Sequence, residues 1–340
     1  MTEPSQSPRP KQTLRALPAA SFGAVLGTVG LGLLWYKASE VFGFSRFWGD
    51  LFFYTSVVLF MVLGFAYIVK VANYGASELA EFRSTDKGGF YSAIPTGPLL
   101  MSAGWAETAP ALAEVSLWIS SFFILLFALL LMTRLFRNND PLENANGSWF
   151  ICLVSPTLIS LGAVPLGYDG LSEFTFAIGA SFWALSFPIV LFRTLFGRET
   201  PPALRPTWCI MLVPSSAFFL SYVAINGGVV DGLARGVYYW TLFLAFILAY
   251  ASRDVWRWPF GISWWAFTFP AVALAGAAVV YAGAIPSDGG KIVGVVALYL
   301  ATGVVLTVWV RSLKAFFQGT LLLEAPGATA GNPHQQPESP

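Results

Sequence analysis

Charge is scarce in this sequence. Asp, Glu, Lys and Arg make up only 11% of it, against about 25% in a soluble globular domain, so there is under half the usual supply for a water-facing surface. A soluble cytoplasmic enzyme is excluded on that ground. Nineteen basic residues against 18 acidic ones leave a formal net charge of +1, which offers no basic face to nucleic acid. Cysteine is almost missing: Cys152 and Cys209 each sit inside an apolar run, which excludes a disulfide scaffold or zinc cluster. Both read as inert buried thiols. The one histidine, His334, stands in a Pro-, Gly- and Gln-rich stretch, so metal sites and proton relays built on imidazole are excluded. Neither a metal nor a cofactor is expected, and an integral-membrane enzyme would lack the His, Cys or acidic cluster its chemistry needs.

What the chain has is apolar length. A helical membrane span takes about 20 predominantly apolar residues, and ten runs qualify: 17 to 36, 48 to 72, 90 to 106, 109 to 136, 148 to 168, 171 to 196, 205 to 227, 230 to 252, 260 to 284 and 290 to 316. Barrel strands alternate apolar and polar residues over about 10 positions; FILLFALLLM, at 123 to 132, does not. The runs read as helices of a multi-pass protein lodged in the cell membrane, with the lipid bilayer as a partner. The first follows Arg9, Lys11 and Arg15 and is about twice as long as a signal-peptide core, so it reads as a retained span. With the N-terminus in the cytoplasm, only Lys37, Arg46, Arg235 and Lys291 of the 19 basic residues fall on the opposite side. That division satisfies the positive-inside rule and puts both termini in the cytoplasm. Segments 1–16 and 319–340 have little to bury and read as disordered cytoplasmic tails, leaving 17–318 as the membrane domain.

The spans alternate in kind. Even-numbered ones are rich in Leu, Phe, Val and Ile and end on a basic residue, as in LLLMTRLFR, and read as lipid-facing struts. Odd-numbered ones carry proline beside small or hydroxylated residues: LPAAS at Pro18, IPTGP at Pro95, VSPTLIS at Pro156, VPSSA at Pro214 and FTFPAVA at Pro270. The intervals of 77, 61, 58 and 56 residues are each one helical hairpin. The expected fold is therefore all-α: five hairpins in a quasi-fivefold ring around a central pore, with Pro188 in the sixth span as an exception. Proline within a helix removes an amide donor and displaces the carbonyl four residues back, which predicts freed carbonyls at Cys152 and Ala266. Broken backbone in lipid is tolerated only against protein or a water-filled cavity. The odd spans should face inward.

Ionisable residues within spans are the usual mark of a proton-coupled transporter, and the middles of these ten have none. Lys70, Arg134 and Arg193 lie near span ends, and Asp50 and Glu114 near the other face; all read as interfacial anchors. Partial charge remains available. Where proline opens a new half-helix, as at Ser155-Pro156-Thr157 with Ser155 as N-cap, free amides and the positive helix end should favour anions. Hydroxyls at Thr96, Thr157, Ser215, Ser216 and Thr268 are candidates to replace part of an ion's water shell; the competing reading bonds each back to its own helix.

The segment WWAFTFP, at 264 to 270, resembles the ninth helix of the plant slow anion channel and bacterial tellurite-resistance (TehA) family, the tellurite-resistance/dicarboxylate transporter group. RPTWCIMLVPSSAFFLSYVAINGGVVD, from Arg205 to Asp231, is similar to its seventh helix and exit loop, and SFGAVLG, at 21 to 27, to its first helix. The likeness covers about 17 to 318. It implies a homotrimer in which the five odd helices of each subunit form a pore plugged near mid-membrane by a Phe on the ninth; by motif position this is Phe269. The expected lining is Phe22, Pro95, Thr96, Pro156, Thr157, Pro214, Ser215, Phe218, Thr268 and Pro270. Kinase gating, which the plant channels carry in long cytoplasmic regions, is not expected of tails this short. The implied activity is a channel for small monovalent anions such as chloride or nitrate. The alternative is a secondary carrier for C4-dicarboxylates, sulfite or a tellurium oxyanion.

Overall fold

The computed structural model describes residues 14–321. His334 and most of both tails lie outside the described residues. Leu14–Ala16, assigned above to a disordered tail, form a 3-10 turn. The described residues are mostly helical and contain no strand.

In chain order the helices are α1 (Gly23–Phe42), α2 (Phe47–Arg83), α3 (Ala93–Trp105), α4 (Pro110–Asn138), α5 (Ser148–Leu153), α6 (Ser155–Ala163), α7 (Asp169–Phe196), α8 (Leu212–Ile225), α9 (Gly232–Ala251), α10 (Thr268–Ala284) and α11 (Asp288–Phe317). Nine helical segments among the described residues are long and apolar enough to cross a membrane. The run at 90 to 106 is not one of the nine; it folds as a 3-10 turn, Gly88–Ser92, followed by α3.

Apolar residues all round a helix mean burial or lipid, and the chain uses both. Segments built on α1, α5 with α6, α8 and α10 are 50–72% buried across their most apolar windows, against 22–33% for α2, α4, α7, α9 and α11. Each long helix packs on its short neighbour in sequence, α2 on α1, α4 on α3, α7 on α6, α9 on α8 and α11 on α10. The short helices also touch one another in a closed order: α1 meets α3, α3 meets α6, α6 meets α8, α8 meets α10, and α10 meets α1.

The prolines do not kink α-helix interiors as the sequence predicted. Pro95, Pro214 and Pro270 each occupy the third residue of an α-helix that continues a 3-10 turn (Gly88–Ser92, Pro202–Met211 and Ile262–Phe267). Pro156 is the second residue of α6, after a break at Val154. In a first turn the missing amide has no intrahelical partner to lose. Pro18 precedes the turn Ala19–Phe22, and the third residue of α1 is Val25, so the first hairpin departs from the repeat. Within α-helices proper, prolines stand at Pro98 and Pro188.

Helix α2 holds the largest surprise. Its 37 residues would span about 55 Å if straight, but the ladder breaks at Tyr74 (φ −132°, ψ 28°). Lys70 is not an anchor in the headgroups. It is 2% exposed and forms an ion pair with Glu78 at 2.5 Å. Arg134 also turns inward, donating to the Phe82 carbonyl with its guanidinium 4.5 Å from the Phe82 ring. Asp50 and Glu114 each accept a tyrosine hydroxyl, from Tyr36 and Tyr168, at 2.9 Å.

Candidate functional site: a partitioned axial cavity

Three cavities lie in succession between the short helices. The proximal vestibule, of about 400 Å³, opens among the end of α2, the segment before α5, the end of α7 and the 3-10 turn Pro202–Met211; Glu81, Asp86, Lys87, Glu143 and Arg193 line it. The central cavity, about 250 Å³, takes wall residues from all five inner segments, among them Leu26, Thr96, Ser155, Leu158, Val213 and Phe269. Among the described residues no ionisable side chain stands in its wall. The distal vestibule, about 420 Å³, carries Tyr36, Lys37, Glu40, Arg46 and Glu107 at its rim.

The cavities share residues in a telling way. Pro18, Ala20, Phe90, Leu204 and Thr207 line both the proximal vestibule and the central cavity, and form the neck between them. Phe269 and Leu158 alone line both the central cavity and the distal vestibule. These two apolar side chains therefore form the partition. Phe269 is half-buried and touches three separate apolar clusters, on the sides of α6, α1 and α11. Its ring lies beside Gly30 of α1, where an added β-carbon would stand 3.4 Å from Cδ2 and 2.7 Å from Val272 Cγ2.

Of the expected gate and lining, Phe269, Thr96 and Pro270 reach the central cavity. The rest of the expected lining does not. Phe22 is buried edge-on against Phe60 and Tyr67. Phe218 sits among Phe176, Trp183 and Tyr222, the last stacked at 5.8 Å. Thr157 faces Gly179 of α7, and Thr268 faces Gly27 of α1 while donating to the Trp265 carbonyl at 2.7 Å. Ser215 donates weakly to the Leu212 carbonyl at 3.4 Å, and Ser216 is buried without a partner. Pro95, Pro156 and Pro214 are buried outside the cavity walls. These corrections share one cause: the lining recurs with the 3.6-residue helical period, and prolines and hydroxyls mostly flank that stripe. On α10 it reads Phe269, Val272, Ala273, Gly276 and Val280; on α1 it reads Leu26, Gly30, Leu33, Leu34 and Lys37. An apolar stripe threaded with glycine was the signal that could have found it.

The expected open helix ends are also corrected. The first amides of α3, α8 and α10, at Ala93, Leu212 and Thr268, donate to carbonyls of the preceding 3-10 turns. Ser155 is no N-cap; its hydroxyl donates to the Ile151 carbonyl of its own chain segment. Thr96 Oγ1 donates to the Ser92 carbonyl at 2.6 Å and stands 3.2 Å from Ser155 Oγ. The hydroxyl residues of the central wall are thus the touching pair Thr96 and Ser155 together with Thr207 and Ser263, each hydroxyl with lone pairs to spare, set in a mostly apolar surface.

Formal charge gathers at the two ends. In the proximal vestibule, Arg193 reaches Thr200 Oγ1 at 3.4 Å, the same oxygen that accepts from Trp208 Nε1 at 3.2 Å. Among the described residues no carboxylate lies within 4 Å of Arg193 or Lys87. At the distal rim, Lys37 pairs with Glu40 at 2.8 Å and Arg46 lies 4.8 Å from the Tyr36 ring.

The chain is 26% identical over 267 residues to the tellurite resistance protein TehA homolog of Haemophilus influenzae, covering 78% of this chain and 81% of that one. It is 23% identical over 321 residues to the S-type anion channel SLAH2 of Arabidopsis thaliana, covering 91% of this chain but 61% of the plant protein. With the guard cell S-type anion channel SLAC1 of the same plant it shares 25% identity over 178 residues, 52% of this chain and 32% of that channel. The family model for the voltage-dependent anion channel, SLAC1, matches residues 16–313, and the chain belongs to that family.

Proposed function

We propose that the protein conducts small monovalent anions such as chloride or nitrate down their electrochemical gradient, through the axis of each subunit, with Phe269 as the gate. The observation that carries this reading is the partition: two vestibules bearing charge are separated from one another by an uncharged cavity closed by Phe269 and Leu158. An apolar constriction blocks ions by occlusion and dewetting, and removing one ring reopens it. The relatives named as anion channels supply the charge sign of the cargo.

The same reading makes the five inner helices a quasi-fivefold ring and α3 a tenth crossing. Residues of α3 line the central cavity at Ala93 and Thr96 and the distal vestibule at Leu100, Ala103 and Gly104, which supports α3 as a crossing. Ten crossings and the bias of basic residues then put both termini in the cytoplasm and the proximal vestibule on that side. Outer faces rich in exposed Leu, Phe and Val meet lipid, and in part the neighbouring subunits of a homotrimer.

Reconstitution in planar bilayers tests the proposal. Wild type should be silent or weakly conducting, and Phe269→Ala should conduct strongly, with reversal potentials that follow the chloride gradient. Electrically silent, pH-driven malate uptake would instead favour a secondary carrier.

A further inference from the structure

Lys70 and Glu78 line none of the three cavities, yet they form a buried polar cluster beside them. Lys70 Nζ pairs with Glu78 Oε1 at 2.5 Å and donates to the Leu17 carbonyl at 2.6 Å. Glu78 Oε2 accepts from Tyr67 at 2.7 Å and from Tyr91 at 3.1 Å, and the Tyr91 hydroxyl also reaches the Glu78 carbonyl at 3.2 Å. Both charged side chains are buried, at 2% and 7% exposure. Eight residues of straight helix would separate their backbones by about 12 Å; the break at Tyr74 brings them together.

The cluster's two outer attachments both adjoin the neck. Leu17 precedes Pro18, and Tyr91 follows Phe90; Pro18 and Phe90 each line the proximal vestibule and the central cavity. The cluster therefore grips two walls of one constriction from behind, through a backbone carbonyl on one side and a tyrosine hydroxyl on the other. A buried ion pair is an inefficient way to add stability, whereas a charge-assisted hydrogen bond fixes direction as well as distance. The geometry points to Lys70 and Glu78 as positioning residues that set the width of the neck and so the size of anion admitted to the central cavity. This rests on the channel reading for its consequence, but not for its structural content.

The test uses the full-length protein in liposomes, with the pair neutralised together (Lys70→Met with Glu78→Gln) and, as a milder change, Tyr91→Phe. Hydrogen exchange is read at the Ser21 and Phe90 amides, which are bonded to the Pro18 and Lys87 carbonyls. Exchange should quicken at both sites in both variants and stay unchanged in α9 and α11. In the Phe269→Ala background the methanesulfonate-to-chloride permeability ratio should change by about threefold or more, as expected of a constriction that selects by size. Lys70→Arg should preserve it. A purely structural pair would lower the yield of folded protein while leaving the ratio fixed. Folded variants with unaltered exchange at the neck overturn the proposal. If Phe269→Ala carries no current while exchange at the neck quickens, the channel reading fails and the brace stands. A conducting Phe269→Ala with an unaltered ratio overturns the neck-width role alone.

Discussion

Gly30 of α1 and Phe269 of α10 meet face to face, and the missing side chain of the first is the space beside the ring of the second. A β-carbon at Gly30 would touch the ring edge at 3.4 Å and collide with Val272 Cγ2 at 2.7 Å. Gly30 also lines the distal vestibule, so a side chain there projects into the proposed path. Gly30→Val in the Phe269→Ala background should cut unitary conductance severalfold, at a stability cost of about 1–3 kcal/mol for overpacking. Single-channel recording beside a denaturation curve separates the two effects.

Leu158 is the other half of the partition. Leu158→Ala should raise conductance above wild type but below Phe269→Ala, and the double variant should exceed both. Because the side chain already borders a cavity, its loss should cost about 2 kcal/mol, the low end for buried leucine truncation. Equal currents in wild type and Leu158→Ala would leave Phe269 as the sole barrier.

The central wall has Thr96 and Ser155 as its touching hydroxyls, adds only Thr207 and Ser263 to them, and is mostly apolar. Such a surface cannot rehydrate an ion, so dehydration should dominate permeation. Permeability in Phe269→Ala should rise as hydration weakens, with iodide and nitrate ahead of chloride and chloride ahead of fluoride. Reversal potentials under bi-ionic conditions give the order, and a fluoride preference would contradict this account of the wall.

Arg193 faces the proximal vestibule, and among the described residues no carboxylate lies within 4 Å of it. Arg193→Glu should reduce anion current entering from that side in the Phe269→Ala background. The loss should shrink as salt rises, since the screening length falls from about 30 Å at 0.01 M to about 3 Å at 1 M. A loss that does not depend on salt would mean a packing defect.

Lys70→Met alone leaves Glu78 buried and unpaired, and should destabilise the protein by about 3–5 kcal/mol. Adding Glu78→Gln should recover most of that loss. Denaturation in detergent, run as a double-mutant cycle, reads the difference.

Membrane residence was legible in residue counts, because a bilayer solvates apolar length and penalises charge whatever the packing. The alternation of inner and outer helices was legible too: small residues and prolines mark alternate runs, and those runs are the more buried ones. Phe269 was reached through the likeness of WWAFTFP to a family motif, and no feature of composition separates it from 29 other phenylalanines. Thr157, Thr268 and Phe218 were misplaced because each is close in sequence to a lining residue but rotated off its stripe.

Composition and periodicity decided the class of protein and which of its long apolar runs are the more buried, since each follows from how a single helix partitions between lipid and protein. Rotation of those helices, and the pairing of Lys70 with Glu78, were settled only in three dimensions. A turn of 100° per residue converts an error of one position into a different neighbour, and only contacts such as Gly27 on Thr268, Gly179 on Thr157 and Gly30 on Phe269 fix which side chain looks down the axis.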